Sequence, residues 1–111
     1  MVERRIFARI NIRIPLKFLI SSNDKVGDGE MVDISANGVG FLTKEDIPPK
    51  TPLQIWVKLP DHHEPIHLIG KVAWSQDSGQ ETLKRVGVCL EEDRLLELGR
   101  VWLYKDTHPN K

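Results

Sequence analysis

Asp33-Ile34-Ser35-Ala36-Asn37-Gly38 sets two short polar side chains two residues apart, where two apolar strand-like runs meet. On an extended backbone, positions two apart project from the same side, so Asp33 and Ser35 present a carboxylate and a hydroxyl together. Gly38 can take a backbone conformation that a residue with a Cβ resists, and it lets another group approach the chain closely. The positive charge this turn lacks comes from the start of the chain, Arg4-Arg5-Ile6-Phe7-Ala8-Arg9. Together the two stretches read as a polar recognition surface. Neither has the look of a reactive centre: the serines lack an activated setting, and Cys89 has no histidine paired with it in the sequence.

Composition narrows what such a surface can serve. At 111 residues the chain is one domain, long enough to bury a core but without room for a separate catalytic domain. Acidic and basic residues balance at 16 each. A general nucleic-acid binder draws its affinity from a basic excess, so a long nucleic acid is not the expected partner. The single Cys89 cannot form an internal disulfide; it lies in an apolar run and is expected to act as a small core hydrophobe in a reducing compartment. The N-terminus reaches arginine within a few residues and no long apolar stretch follows, so neither a signal peptide nor a membrane span is expected and the protein is placed in the cytoplasm. His62, His63 and His67 raise the question of a metal, but two adjacent histidines in a turn do not easily face one ion, and no metal is expected.

The elements that must hold the surface follow from periodicity. Ile10, Ile12, Ile14, Leu16, Phe18 and Ile20 recur at every second position, which predicts a half-buried strand, with Pro15 on its outward side marking an edge or a bulge. Ser21 to Gly29 reads as a polar hairpin loop with two glycines. Strands are predicted on either side of the Asp33 to Gly38 turn, at Leu53 to Leu59, at Ile66 to Trp74 and at Val86 to Leu90, with a proline-rich crossover before the fourth. Six short strands suggest a small barrel or sandwich. After Asp93, read as an N-cap, Leu95, Leu98 and Trp102 recur at helical spacing with Leu96 and Leu103 beside them. That stripe is expected to lie on the strands, with Gly99 permitting close approach. Trp56, on the polar side of its strand, is the candidate for an exposed contact. The chain divides into a flexible arginine-rich lead over 1–9, the domain over 10–104 and a polar tail over 105–111.

Arg5-x-x-x-Arg9 followed downstream by Asp33-x-Ser35-x-x-Gly38 resembles the two-part signature of the PilZ domain family, bacterial receptors for the second messenger cyclic di-GMP. Gly70-Lys71-Val72-Ala73-Trp74-Ser75 and Arg85-Val86-Gly87-Val88-Cys89-Leu90 look like late strands of that family, so the resemblance covers nearly the whole chain. It implies a six-stranded antiparallel β-barrel with a C-terminal α-helix. The ligand it implies has two phosphates and two guanines, and arginine suits all of their surfaces: it forks onto phosphate oxygens, pairs with guanine O6 and N7, and stacks on the purine face. By resemblance Arg5 and Arg9 take the phosphates and guanine edges, Asp33 accepts from guanine N1 and N2, Ser35 adds one bond, and Gly38 lets the strand lie against the ligand. Arg4 is placed to add a guanidinium contact or to hold a second ligand molecule; Asn37 and Trp74 are additional candidates. No cofactor and no catalysis are implied. Binding would order the lead across the barrel and create a surface read by a protein effector. The rival readings are a PilZ-like adaptor that works by protein contact without the nucleotide, and a small nucleic-acid-binding barrel.

Overall fold

A computed structural model of the chain describes residues 9–61, 63–79 and 82–107. Six strands, β1 (Ile10–Ile20), β2 (Lys25–Ser35), β3 (Gly38–Thr43), β4 (Pro52–Val57), β5 (Ile66–Asp77) and β6 (Lys84–Leu90), precede one helix, α1 (Leu95–Thr107). The strands close into an antiparallel barrel in the order β1-β2-β3-β6-β5-β4, with β1 pairing β4 to complete the ring. This is the barrel, and not the sandwich, of the two architectures that the strand count suggests.

Alternation builds the interior. Ile14, Leu16, Phe18 and Ile20 of β1 are buried, as their period of two predicts, and meet Met31, Phe41, Leu53, Ile55, Leu68, Val86 and Val88 from the other strands. Ile12 departs from the pattern and is only partly buried. It falls within a slip in the β1–β2 register between Asn11 and Ile14, where Ile12 has no paired residue on β2. Pro15 sits beside that slip, and the β1–β4 ladder begins only at Leu16, so the missing N–H falls where β1 has no partner from β4. Ile47 in the β3–β4 crossover and Leu59 after β4 are fully buried as well.

Three sequence expectations need correction. The hairpin loop after β1 is short, Ser21 to Asp24, and β2 already begins at Lys25. Gly27 and Gly29 are strand residues whose missing side chains make room for the core: a Cβ on Gly27 would stand 2.3 Å from Phe18 Cζ, and one on Gly29 2.8 Å from Phe41 Cδ2. Cys89 is exposed, because Val88 and Leu90 take the inward positions and leave it on the outer side. The third correction concerns the helix. Val101 is its buried residue, with Leu98 and Tyr104 partly buried against the core, while Leu95, Leu96, Trp102 and Leu103 are exposed. Nothing lies within 4 Å of a Cβ placed on Gly99, so that glycine is not there for close approach to the barrel. The helix runs through Thr107, past Lys105, where the sequence reading starts a tail.

Polar anchors decide which face of α1 packs. Arg94, not Asp93, opens the helix: its carbonyl accepts from Leu98 N at 3.0 Å, and its own N–H donates to Ala36 O at 2.7 Å. Its guanidinium donates to His67 O at 3.1 Å and to Glu97 at 3.0 Å. Six residues further on, Arg100 forks onto Asp61 through Nε and Nη2, both at 2.9 Å. Those bonds hold the Asp61 carboxyl well below the usual carboxylate range. A carboxylate whose folded pKa is depressed adds stability that is fully present above its unfolded pKa of about 3.9 and is lost as pH falls below it. Asp61→Asn is therefore expected to lower the melting temperature at neutral pH, with the gap to the parent protein closing on acidification below about pH 4. A gap constant across that range would show that Asp61 contributes through something other than its charge.

Candidate functional site

The antiparallel register places two rows of residues side by side on the outer wall of the barrel. In one row Asp33 of β2 faces Gly40 of β3, Gly40 faces Gly87 of β6, and Gly87 faces Trp74 of β5. In the next, Ser35 faces Gly38, Gly38 faces Cys89, and Cys89 faces Lys71. Three glycines thus floor a trough whose walls are Asp33 and Ser35 on one side and Trp74 on the other. Arg9, Asn37, Gly38, Gly40, Trp74 and Cys89 line the resulting cleft.

Asp33 is the hub of this surface. Its side chain is 8% exposed, and both oxygens are engaged: Oδ1 accepts from Arg9 Nη1 at 2.6 Å and Oδ2 from Arg85 Nη2 at 2.9 Å. To meet Arg85 of β6, the carboxylate from β2 must cross the intervening strand β3. Gly40 permits the crossing, since a Cβ there would stand 2.9 to 3.2 Å from the carboxylate atoms. The Arg9 side chain remains 54% exposed, so it is positioned at the cleft while still open to a ligand. A carboxylate has about four lone-pair sites, so Asp33 holds two cations and keeps acceptor capacity.

The Ser35 hydroxyl donates to Asn37 Oδ1 at 3.0 Å and lies 3.4 Å from Gly38 O. Asn37 therefore braces the turn and also lines the cleft. Gly38 is an ordinary strand residue; among the described glycines only Gly79 has a positive φ, so the expected special backbone conformation is not why Gly38 is glycine. Space is the reason: its missing Cβ would lie 3.2 Å from Val88 O and 3.9 Å from Arg9 Nη2. Trp74 is 41% exposed and lies over Gly87, where a Cβ would fall 2.3 Å from its ring. The turn is also tied to the rest of the fold, for Asn37 O accepts from Leu90 N and Ala36 O from Arg94 N.

Among the residues named from the sequence, Arg9, Asp33, Ser35, Asn37, Gly38 and Trp74 come together here, while Arg4 and Arg5 lie outside the described residues. Arg85 was missed. Its signal was parity: Arg85, Gly87 and Cys89 alternate with the apolar Val86, Val88 and Leu90, which puts a cation on the outer wall. Trp56 stacks on His67 with ring centroids 5.0 Å apart, and His67 also bonds Gln54, so the ring is part of a lateral wall outside the cleft. Among the described residues no helix is long and apolar enough to cross a membrane.

No curated protein matches the chain. Among solved structures it is similar to the inhibitor of motility MotI/DgrA of Bacillus subtilis, with a TM-score of 0.67 at 9% identity, over 95% of this chain and 52% of that one. The likeness is one of fold, and the chain spans about half the length of that protein. The family model of the PilZ domain matches residues 3–100, a span that takes in the arginine lead, the Asp33 to Gly38 turn, all six strands and the start of α1. The chain belongs to the PilZ domain family.

Proposed function

We propose that this protein binds cyclic di-GMP on the glycine-floored trough and relays its presence to a protein effector, acting by binding and not by catalysis. One observation carries the reading: Arg9 is held on Asp33, with Arg85 on the other carboxylate oxygen, at the rim of a cleft faced by an exposed tryptophan. Charge, hydrogen-bond acceptors and a flat aromatic surface are what a molecule with phosphates and guanines requires. Arg5 and Arg9 take phosphates and guanine edges, Arg4 adds a guanidinium or retains a second ligand molecule, Asp33 accepts from guanine N1 and N2, Ser35 donates or accepts one bond, and Gly38 lets the ligand lie close. Trp74 offers the stacking face. The site of action is the cytoplasm, where the second messenger is made.

Relay has two routes. Ordering of the lead over the trough changes the surface near β1, and the Ala36 to Arg94 hydrogen bond links the motif turn to the start of α1. The test is calorimetric titration with cyclic di-GMP, with GMP as control and Arg5→Ala and Asp33→Ala in parallel. Binding in the micromolar range or tighter that both variants lose supports the reading. Absence of binding by a second method selects the adaptor reading, which the exposed apolar face of α1 favours.

Trp74 gives an independent check. Gly87→Ala places a methyl group where the indole ring lies and must push Trp74 off the trough. Weaker binding by about tenfold, together with a changed tryptophan emission spectrum and an almost unaltered melting temperature, is expected. Unchanged affinity with a displaced ring would remove Trp74 from the site.

A further inference from the structure

The seam that closes the barrel stays open at one end. Ser21 N–H donates to Pro52 O at 3.2 Å, so by alternation Leu19, Lys17 and Pro15 also turn their main-chain groups toward β4. The ladder runs from Ile20 opposite Leu53 to Leu16 opposite Val57, and the next donor would be Pro15, which has no N–H. From Ile10 to Pro15, β1 therefore pairs with β2 alone, and a groove opens between its outer edge, Lys58, Pro60 and the last turns of α1. Its charge is one-sided. In a chain of net charge zero, Arg13, Lys58 and Lys105 line this groove and no carboxylate does. Lys58 and Lys105 are exposed and have no ion-pair partner among the described residues, while Arg13 has Glu30 at 3.0 Å, an exposed pair worth little in water. A second, apolar cleft joins the groove across Pro15 and Lys58 and is walled by Trp56 and Pro65. Trp56 is 36% exposed and is held in place by stacking on His67, which bonds Gln54 in turn. One channel thus follows the seam from Trp56 to Lys105.

We propose that this channel takes an extended acidic segment of a partner protein, with an aromatic or proline side chain against Trp56 and carboxylates on Lys58, Arg13 and Lys105. The stretch of β1 from Asn11 to Lys17 spans about 20 Å, the length of roughly six residues of extended chain. The unpaired edge of β1 offers such a chain main-chain hydrogen bonds, and the cations select its side chains. A single-stranded nucleic acid repeats charge and base at every unit and asks for stacking surfaces along its path. Here the exposed ring stands at one end of the channel and the cations at its middle and far end, a pattern that suits a peptide with distinct side chains. In the ring order, the β1–β4 seam lies diametrically opposite the β3–β6 seam that floors the trough. Both surfaces can be occupied at once, and this one does not depend on the nucleotide reading.

Selection of a random octapeptide library displayed on phage, against the purified chain with no nucleotide added, tests the proposal. Enriched sequences are expected to carry several carboxylates together with an aromatic residue or a proline. A synthetic peptide of the leading sequence should lose about tenfold or more in affinity to Lys58→Glu and to Trp56→Ala. Lys44→Glu, which removes an exposed cation beside a different cleft, should leave it unchanged. A thermal melt of each variant checks folding, and Lys58→Glu alters only an exposed side chain. Binding should also shift the indole N–H resonance of Trp56 and not that of Trp74. Absence of enrichment, enriched sequences without acidic character, affinity that survives Lys58→Glu in a folded protein, or tighter binding of a decathymidylate oligonucleotide than of the peptide would each overturn the proposal.

Discussion

Arg9→Ala is expected to weaken cyclic di-GMP binding ten- to a hundredfold, and Asp33→Ala to weaken it more. The guanidinium of Arg9 offers a phosphate or a guanine edge charge-assisted bonds worth about 1.5–3 kcal/mol, and about 1.4 kcal/mol corresponds to a factor of ten. Among the described residues its ion-pair partner is Asp33, and with the arginine side chain 54% exposed, water replaces that pair at little cost when it is lost. Stability should therefore hardly change. Asp33→Ala acts at two places, because the carboxylate positions Arg9 through Oδ1 and Arg85 through Oδ2. Without it both guanidinium groups lose their fixed direction, and a ligand must order them itself, which costs side-chain entropy in addition to the missing contact. Arg85→Ala separates these contributions. It leaves every residue of the two-part motif in place and removes half of what holds the carboxylate, so a smaller loss, up to about tenfold, is expected. Calorimetry on the four proteins, with a thermal melt of each, checks the order. Equal affinity in Arg9→Ala and the parent would detach the arginine lead from ligand binding altogether.

How much of this was legible in the sequence depends on whether a local period had one interpretation or two. The alternation of Ile14, Leu16, Phe18 and Ile20 had one, and the strand it predicts is the strand found. The helix had two apolar faces: Leu98 and Val101 on one, Leu95, Leu96, Trp102 and Leu103 on the other, both at helical spacing. Periodicity cannot choose between them. The choice is made by long-range bonds from Arg94 to Ala36 and His67 and from Arg100 to Asp61, none of which has a local signature. The glycines misled for a related reason. Gly27 and Gly29 look like turn formers beside Asn23 and Asp24, yet what makes them glycine is the bulk of Phe18 and Phe41, remote in sequence or on another strand. The site was legible through its motif, because Asp33 and Ser35 need only strand parity to share a side. Arg85 enters from 52 residues away, over a glycine of the strand between, and only the register reveals that meeting.

Phe18→Ala is expected to destabilise the fold by about 3–5 kcal/mol, a large share of the ~5–15 kcal/mol that holds a domain of this kind together. Phe18 is fully buried and lies at the seam that closes the barrel, paired with Gly27 of β2 on one side and Ile55 of β4 on the other. Its ring packs against Phe41 with centroids 5.5 Å apart, so truncation removes an aromatic contact along with the buried area. It also opens a cavity that the surrounding strands cannot close without breaking the β1–β4 ladder. Gly27 provides the control for this explanation. In the parent protein Gly27→Ala drives a methyl group into the Phe18 ring, with a separation of 2.3 Å before relaxation, and is expected to cost about 1–3 kcal/mol. In the Phe18→Ala background the space is empty, and the same methyl group should be neutral or stabilising. The two substitutions are thus predicted to be strongly non-additive, with a coupling of about 1–3 kcal/mol in denaturant unfolding of all four proteins. Additive losses would mean that the ring and the glycine are not adjusted to each other, and that β2 continues through Gly27 for some other reason.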